Sequence, residues 1–332
     1  MEQSTSPLLD GNGDRLPQLT AGIHPELDLW AQRRRLGARG WPPYRLKRWI
    51  FTGVLSPRCI AGVAFVHLGY LTNCFAYVWR PGDNQPTETS MLRPPFPWQQ
   101  FEPFPLRGVA EFTTLPVRFT YSSKGMHFFS RFPARKLDII LDFDLEAHFS
   151  SALQAVNPVN PGYWAYTGKL AGFPVTGCIH DGNQEIVLKA GESAGIVDWT
   201  FGCHARTTEW LWATGCGRSG AINTAFNFSR KVYDRGAGEN CVWIGGRPIL
   251  LPSVSIDRGP RDGCWRVSGA GGKVDLHFEP SGARSEHTDL GLVASRFTQW
   301  FGHYSGELLD TQGHRFPIDQ ALGFFEEHHA RW

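Results

Sequence analysis

Net charge is nearly missing from this chain. Its 332 residues carry 33 Lys+Arg against 31 Asp+Glu, a formal charge of +2, so there is no electrostatic footprint for a phosphate backbone and nucleic-acid binding is not expected. Paired cysteines are missing too. The seven present, Cys59, Cys74, Cys178, Cys203, Cys216, Cys241 and Cys264, are an odd number without a CxxC spacing, which argues against a disulfide framework and for a reducing, cytoplasmic setting. The opening MEQSTSPLLDGNGD has neither a basic stretch nor an apolar one after it, so no secretory signal is expected. No P-loop or HExxH pattern occurs, and Gly215-Cys216-Gly217 is too weak a pattern to imply a nucleotide. No cofactor is expected.

Long apolar runs are also scarce. The one candidate, residues 59–79, has 21 residues without a formal charge between Arg58 and Arg80, the length of a membrane-spanning helix. It also holds His67, Asn73, two glycines and many β-branched and aromatic residues, and reads as two buried strands turning around His67-Leu68-Gly69-Tyr70. No transmembrane segment is expected.

What the chain does have is turns and rings: 37 Gly, 23 Pro and 13 Trp, with 42% hydrophobic residues. That content is ample for a core and excludes a disordered chain or a coiled coil. Short β-prone runs at 46–52, 75–79, 108–112, 117–121 and 137–145 are bounded by Gly, Pro, Asn or Asp, a spacing that predicts an antiparallel all-β protein. The expected architecture is antiparallel barrels or sandwiches with short terminal helices. Residues 1–23 read as a disordered tail, 24–156 as an N-terminal barrel-like domain and 157–332 as a C-terminal one. Asn157-Pro158-Val159-Asn160-Pro161-Gly162 marks the boundary, because such turns oppose regular structure. His24 to Arg35 predicts a short helix, residues 81–105 a long Pro-rich loop, and residues 318–332 a terminal helix with Glu326, Glu327, His328 and His329 exposed. In residues 221–229 Asn223, Ala225, Asn227 and Ser229 alternate with a mostly apolar set, a polar face that meets solvent or lines a pocket.

The densest group of reactive side chains lies at residues 195–215. Asp198, His204, Arg206 and Glu209 bring two acids, a proton carrier and a fixed cation together, with Glu239-Asn240 further on. Proton-transfer chemistry needs such groups in a water-poor pocket where their pKa values separate, and Trp199, Trp210, Trp212 and Trp243 are candidate walls. The plain alternative is structural: an Asp on a turn that holds backbone amides, and Arg–Glu pairs that only fix geometry. Cys203-His204 is no nucleophile pair, since strand neighbours face opposite sides. Cys178 and His180 share a face but lack further ligands nearby in sequence, so no metal site is expected.

Several segments together, Leu46-Lys47-Arg48-Trp49, Tyr166-Thr167-Gly168-Lys169-Leu170, Gly195-Ile196-Val197-Asp198-Trp199, residues 210–215, Asn227-Phe228 and residues 239–247, occur in an order that resembles the family catalogued as domain of unknown function 2804, over about residues 40–300. More remotely the chain is similar to carotenoid 1,2-hydratase-type proteins. That similarity implies two lipocalin-like β-barrel or sandwich halves and cofactor-free acid/base chemistry on an apolar ligand. The first expectation is therefore a hydratase, isomerase or cyclase, with Asp198 or Glu239 as general acid, His204 as proton partner and Arg206 and Asn227 as orienting groups. In this reading Trp199, Glu209, Trp210, Trp212, Asn240 and Trp243 complete a binding site for an apolar small molecule. The alternatives are a non-catalytic carrier of a lipid or hydrophobic metabolite, and a glycosidase using Asp198 and Glu239.

Overall fold

The structure, a computed structural model, describes residues 18–22, 45–95, 99–102, 107–132, 135–160, 163–182, 184–289 and 291–332. Strands dominate these residues. In chain order they are β1 (Gln18–Ala21), β2 (Leu46–Ser56), β3 (Cys59–His67), β4 (Thr72–Trp79), β5 (Thr87–Arg93), β6 (Gln100–Phe101), β7 (Ala110–Thr114) and β8 (Val117–Ser122). There follow β9 (Gly125–Phe132), β10 (Arg135–Asp142), β11 (Leu153–Asn160), β12 (Tyr163–Pro174), β13 (Thr176–Asp181), β14 (Gln184–Leu188), β15 (Ala194–Cys203) and β16 (Thr207–Ser219). The last are β17 (Ile222–Arg230), β18 (Asn240–Ile244), β19 (Arg247–Leu251), β20 (Val254–Arg258), β21 (Trp265–Gly269), β22 (Val274–Asp289), β23 (Ala294–Leu309) and β24 (Arg315–Arg331). A 3-10 turn at Glu146–Ser151 interrupts them.

They form three sheets of antiparallel neighbours. The first runs β1-β11-β12-β15-β2-β3-β4-β5, the second β14-β13-β10-β9-β8-β7-β6, and the third β19-β18-β17-β16-β24-β23-β22-β21-β20. The first sheet lies between the other two. One of its faces meets the second sheet through Phe65 against Phe112 and Phe119, and Trp199 against Tyr121. Its other face meets the third sheet through Phe51 against Trp212 and Tyr77 against Phe301. Burial on both faces is why β2, β3, β12 and β15 read as nearly continuous apolar runs. It also accounts for residues 59–79, which are β3 and β4 joined through the expected turn. Among the described residues no helix is long and apolar enough to cross a membrane.

The third sheet curls so that β20 returns toward β17, where the Arg230 guanidinium donates to the Val254 carbonyl. Its concave face encloses a separate core in which Trp265 stacks on Phe325 at 4.1 Å and Phe226 meets Tyr304 edge-on at 4.8 Å. Close approach of the first and third sheets depends on Gly282 of β22, where a Cβ would run into the Trp79 indole of β4. The arrangement is all-β and antiparallel, as expected.

Several local expectations are corrected. Residues 318–332 are not a helix but most of β24, because Phe324, Glu326 and His328 alternate with Phe325 and Glu327 across two packed faces. Gln18–Ala21, assigned to the tail, pairs with β11; the rest of residues 1–17 and the expected helix at 24–35 lie outside the described residues. The Pro-rich segment 81–105 carries β5, which extends the first sheet from β4, and β6. The proposed division at residues 156 and 157 runs through β11, whose pairing with β12 continues beyond it. Proline is tolerated there because Pro158 sits next to a register shift between Pro158 and Asn160. The chain leaves the first sheet for the third only between Cys203 and Thr207.

Candidate functional site

Where the first sheet packs on the third, alternation aims a set of polar side chains into the seam. β12 contributes Lys169 and β15 contributes Asp198, paired in register. From the third sheet come Trp210 and Trp212 of β16, Asn227 of β17, Glu239 just before β18, and Glu326 of β24. The Lys169 ammonium is the hub: it lies 2.9 Å from Glu239 Oε2, 3.6 Å from Asp198 Oδ2 and 4.7 Å from the centre of the Trp212 ring. Asp198 also accepts from the Trp49 indole at 3.2 Å and from the Thr200 hydroxyl at 3.4 Å. Asn227 joins the walls: it accepts from the Trp212 indole at 2.7 Å and donates to the Glu239 carbonyl oxygen at 2.6 Å. Glu326 accepts from the Trp210 indole at 2.6 Å and from the Gln299 amide at 3.1 Å.

All four charged groups are buried: Lys169, Asp198, Glu239 and Glu326 are each at most 6% exposed. Three carboxyls therefore share one ammonium. Arg284 stands near enough to act on Glu326, but its guanidinium is bonded to Glu88 at 2.9 Å. A surplus of negative charge in a water-poor seam is relieved by proton uptake. Burial raises Glu326 to about 7, against the opposing pull of the Trp210 hydrogen bond and the Arg284 charge. Burial likewise raises Asp198, while Lys169 works to lower it and the charge of Glu239 adds to the rise. Burial disfavours the charge on Lys169, yet Asp198 and Glu239 outweigh it and hold its pKa above the ordinary value. Gln299 Oε1 accepts no hydrogen bond; turning that amide over would offer the oxygen to a proton on Glu326.

His204 lies beside this cluster. Its ring is 5.0 Å from Trp49, whose indole binds Asp198, and also contacts Tyr233 and Trp332. Burial, helped by the charge of Lys47, lowers its pKa to about 3. At neutral pH the imidazole is uncharged, so the expected proton partner is not a cation there.

The sequence-predicted set divides. Asp198, Glu239, Trp210, Trp212 and Asn227 converge in the seam, with His204 at its side. Trp199 does not, since it is next to Asp198 on a strand and faces the second sheet, against Phe101 and Tyr121. Trp243 of β18 is opposite Ala225, on the face of the third sheet that carries Asn227, but its indole donates to the Ser151 carbonyl at 2.6 Å and is thereby tied to the chain before β11. Asn240 is a structural brace: it accepts from the Ser229 amide and donates to the Pro252 carbonyl. Arg206 is exposed and donates to the Leu292 carbonyl. Glu209 faces the third sheet's concave side, with Lys231 at 3.2 Å and His329 at 3.1 Å.

Sequence reasoning missed Lys169, Trp49, Gln299 and Glu326. Lys169 did leave a signal, the one formal charge in the otherwise apolar strand YWAYTGKLAGFP. Glu326 was hidden by the helical reading of its segment.

A cleft of about 490 Å³ opens on the concave side of the third sheet, lined by residues that include Arg258, Arg296, Trp300, Glu327 and His329. Glu327 and His329 alternate with Glu326 and His328 along β24, so cleft and carboxyl cluster lie on opposite faces of one strand.

The chain matches, over residues 3–332, the family described as domain of unknown function (DUF2804), and it belongs to that family. No curated protein matches it. Among solved structures it is similar in fold to kievitone hydratase from Nectria haematococca, with 9% identity, a TM-score of 0.53, and coverage of 86% of this chain and 88% of that one. The structure of CghA with Sch210972 aligns at 8% identity and a TM-score of 0.42, covering 87% and 88%.

Proposed function

We propose that this chain is a cofactor-independent enzyme of the hydratase, isomerase or cyclase kind, acting on an apolar small molecule by acid/base chemistry. The observation that carries the reading is the buried group of three carboxyls around one ammonium. Such a site stores a proton at neutral pH, so that one buried seam holds both a neutral carboxylic acid and a carboxylate, the two states that acid/base catalysis requires. In this reading Glu326 delivers its proton to an alkene or ether oxygen and Asp198 accepts one from the attacking water or the adjacent carbon. Trp49 and Trp210, whose indoles donate to Asp198 and Glu326, hold the acid and the base in position, and Lys169 with Glu239 keeps Asp198 in place. The fold shared with a hydratase agrees with this class, and the seven free cysteines suit a cytoplasmic setting.

A second reading draws on the cleft. If this cleft, lined by Arg258, Asp262, Arg296, Glu327 and His329 around Trp300, holds a metabolite without transforming it and the seam is only glue, the protein is a carrier, and the Lys169–Glu239 pair stitches the first sheet to the third. The glycosidase reading is the weakest: the Lys169 ammonium, 3.6 Å from Asp198 and 2.9 Å from Glu239, neutralises both carboxyls, where a glycosidase leaves them free to act on the sugar between them.

Incubating the purified chain with a metabolite extract in H₂¹⁸O and D₂O separates these readings. The enzyme reading expects a new metabolite labelled with ¹⁸O or deuterium, formed by the wild type and lost in Glu326→Gln and Asp198→Asn proteins that keep a native circular dichroism spectrum. No labelled product with the wild type, together with a stoichiometric co-purifying ligand in native mass spectrometry, supports the carrier instead.

A further inference from the structure

On the outward face of the second sheet, two layers away from the carboxyl seam, the β13–β14 hairpin assembles donors that are not adjacent in sequence. Cys178 and His180 alternate with buried Ile179 and so point outward together. The register of the hairpin then sets Glu185 directly across from His180, which supplies the third donor that the sequence spacing had not revealed. Cys178 Sγ lies 3.5 Å from His180 Nε2 and 3.3 Å from Glu185 Oε1, and the His180–Glu185 edge closes the triangle at 3.9 Å.

Those edges are informative. Around a tetrahedral zinc ion, ligand bonds of about 2.0–2.3 Å place neighbouring donor atoms about 3.3–3.6 Å apart. The triangle is close to that size before any ion is added. Its composition is as telling as its size: thiolate, imidazole and carboxylate together suit a borderline ion such as Zn²⁺ better than Mg²⁺ or Ca²⁺, which take oxygen donors. Of the seven cysteines, Cys178 alone is not buried, so it is the one that solvent ions reach. Asp138 of β10 is opposite His180 in register, and its carboxylate is held by His127 at 2.7 Å, adding negative charge beside the site.

We propose that Cys178, His180 and Glu185 form a three-ligand site for a divalent ion of the zinc type, with water in the fourth position. On binding, the Cys178 thiol gives its proton to solvent and the sulfur becomes a ligand. Without the ion, burial and the Glu185 charge raise that thiol to about 11, and the cation reverses the balance. A bound ion also clips together the hairpin at the edge of the second sheet.

Titration of the full chain with Co²⁺ tests this, because a thiolate–cobalt bond gives a charge-transfer band in the near ultraviolet. The expected result is one equivalent bound with that band, displacement by Zn²⁺, and a higher melting temperature with Zn²⁺. Cys178→Ser should lose the band and the melting shift, and Glu185→Gln should weaken binding at least tenfold. Each side chain is partly exposed on an edge hairpin, so both variants should melt like the wild type without metal. Failure of the wild type to bind, or an unchanged band and melting shift in Cys178→Ser, overturns the proposal.

Discussion

The two faces of the third sheet are built from the same strands and do opposite things. In β24, Phe325 faces the concave core and stacks on Trp265, while its neighbour Glu326 faces the first sheet and binds Trp210 and Gln299. In β17, Phe228 goes to the core and Asn227 to the seam. One face is a conventional apolar interior, held by ring packing. The other buries carboxyls, an ammonium and indole N–H groups. A period of two lets one strand serve as a wall of a dry core and as the floor of a polar layer, with no residue having to compromise. The lesson is that stability on one face should be indifferent to pH, and on the other should be governed by it.

The largest effect is expected from Lys169→Met. Removing the ammonium leaves Asp198 and Glu239 buried without their counter-ion, which should cost about 3–5 kcal/mol. The loss should be greater at pH 8 than at pH 5, because at the lower pH the carboxyls can take up protons instead. Phe325→Ala is the matched change on the other face. It should cost a similar amount, about 3–5 kcal/mol, equal at both pH values. Urea unfolding of both variants at pH 5 and pH 8 decides the matter; a Lys169→Met penalty as flat with pH as that of Phe325→Ala would break the comparison.

Much of this contrast was legible in the sequence, and the gaps have physical causes. The all-β architecture follows from short β-prone runs between turn residues, and the solvent-facing Asp275, His277 and Glu279 follow from strict alternation with buried Val274, Leu276 and Phe278. Asp198, Glu239, Trp210, Trp212 and Asn227 were picked out by residue type alone. Trp199 was misplaced because nearness in sequence was allowed to outweigh alternation. The segment FFEEHH was misread because paired apolar and paired charged residues fit a helix turn as readily as a strand buried on both faces. The pairing of Trp210 with Glu326, 116 positions apart, is set by strand register and by how two sheets pack, and no local pattern encodes it.

Glu326→Gln sharpens the comparison with a sign. The folded chain holds this proton up to about pH 7, whereas an ordinary glutamate releases it near 4.5. Between those values the folded state binds more protons than the unfolded one, so the contribution of the group is full below 4.5 and declines as pH rises through 7. Glutamine cannot ionise, and its amide can pair with a turned-over Gln299. The variant should match the wild type near pH 4.5 and exceed it at pH 8 by on the order of 3 kcal/mol, measured as the difference between their pH–stability curves. Two curves that stay parallel would mean that Glu326 is ionised in the fold.

The smallest effect is expected from Glu209→Gln, and it tests the assignment of faces most directly. By sequence Glu209 stood with Asp198 and His204 as one cluster; by structure it sits one residue from Trp210 and on the other side of β16. Its carboxylate is 41% exposed, paired with Lys231 and His329 at the rim of the concave side. Ion pairs so open to water are screened and contribute about 0–1 kcal/mol. The substitution should therefore change stability by less than about 1 kcal/mol, less still in 0.5 M salt, and should leave any turnover that depends on Asp198 and Glu326 intact. A loss of turnover comparable to that of Asp198→Asn would mean that chemistry reaches around the strand from seam to cleft, and the division of labour between the two faces would fail at β16.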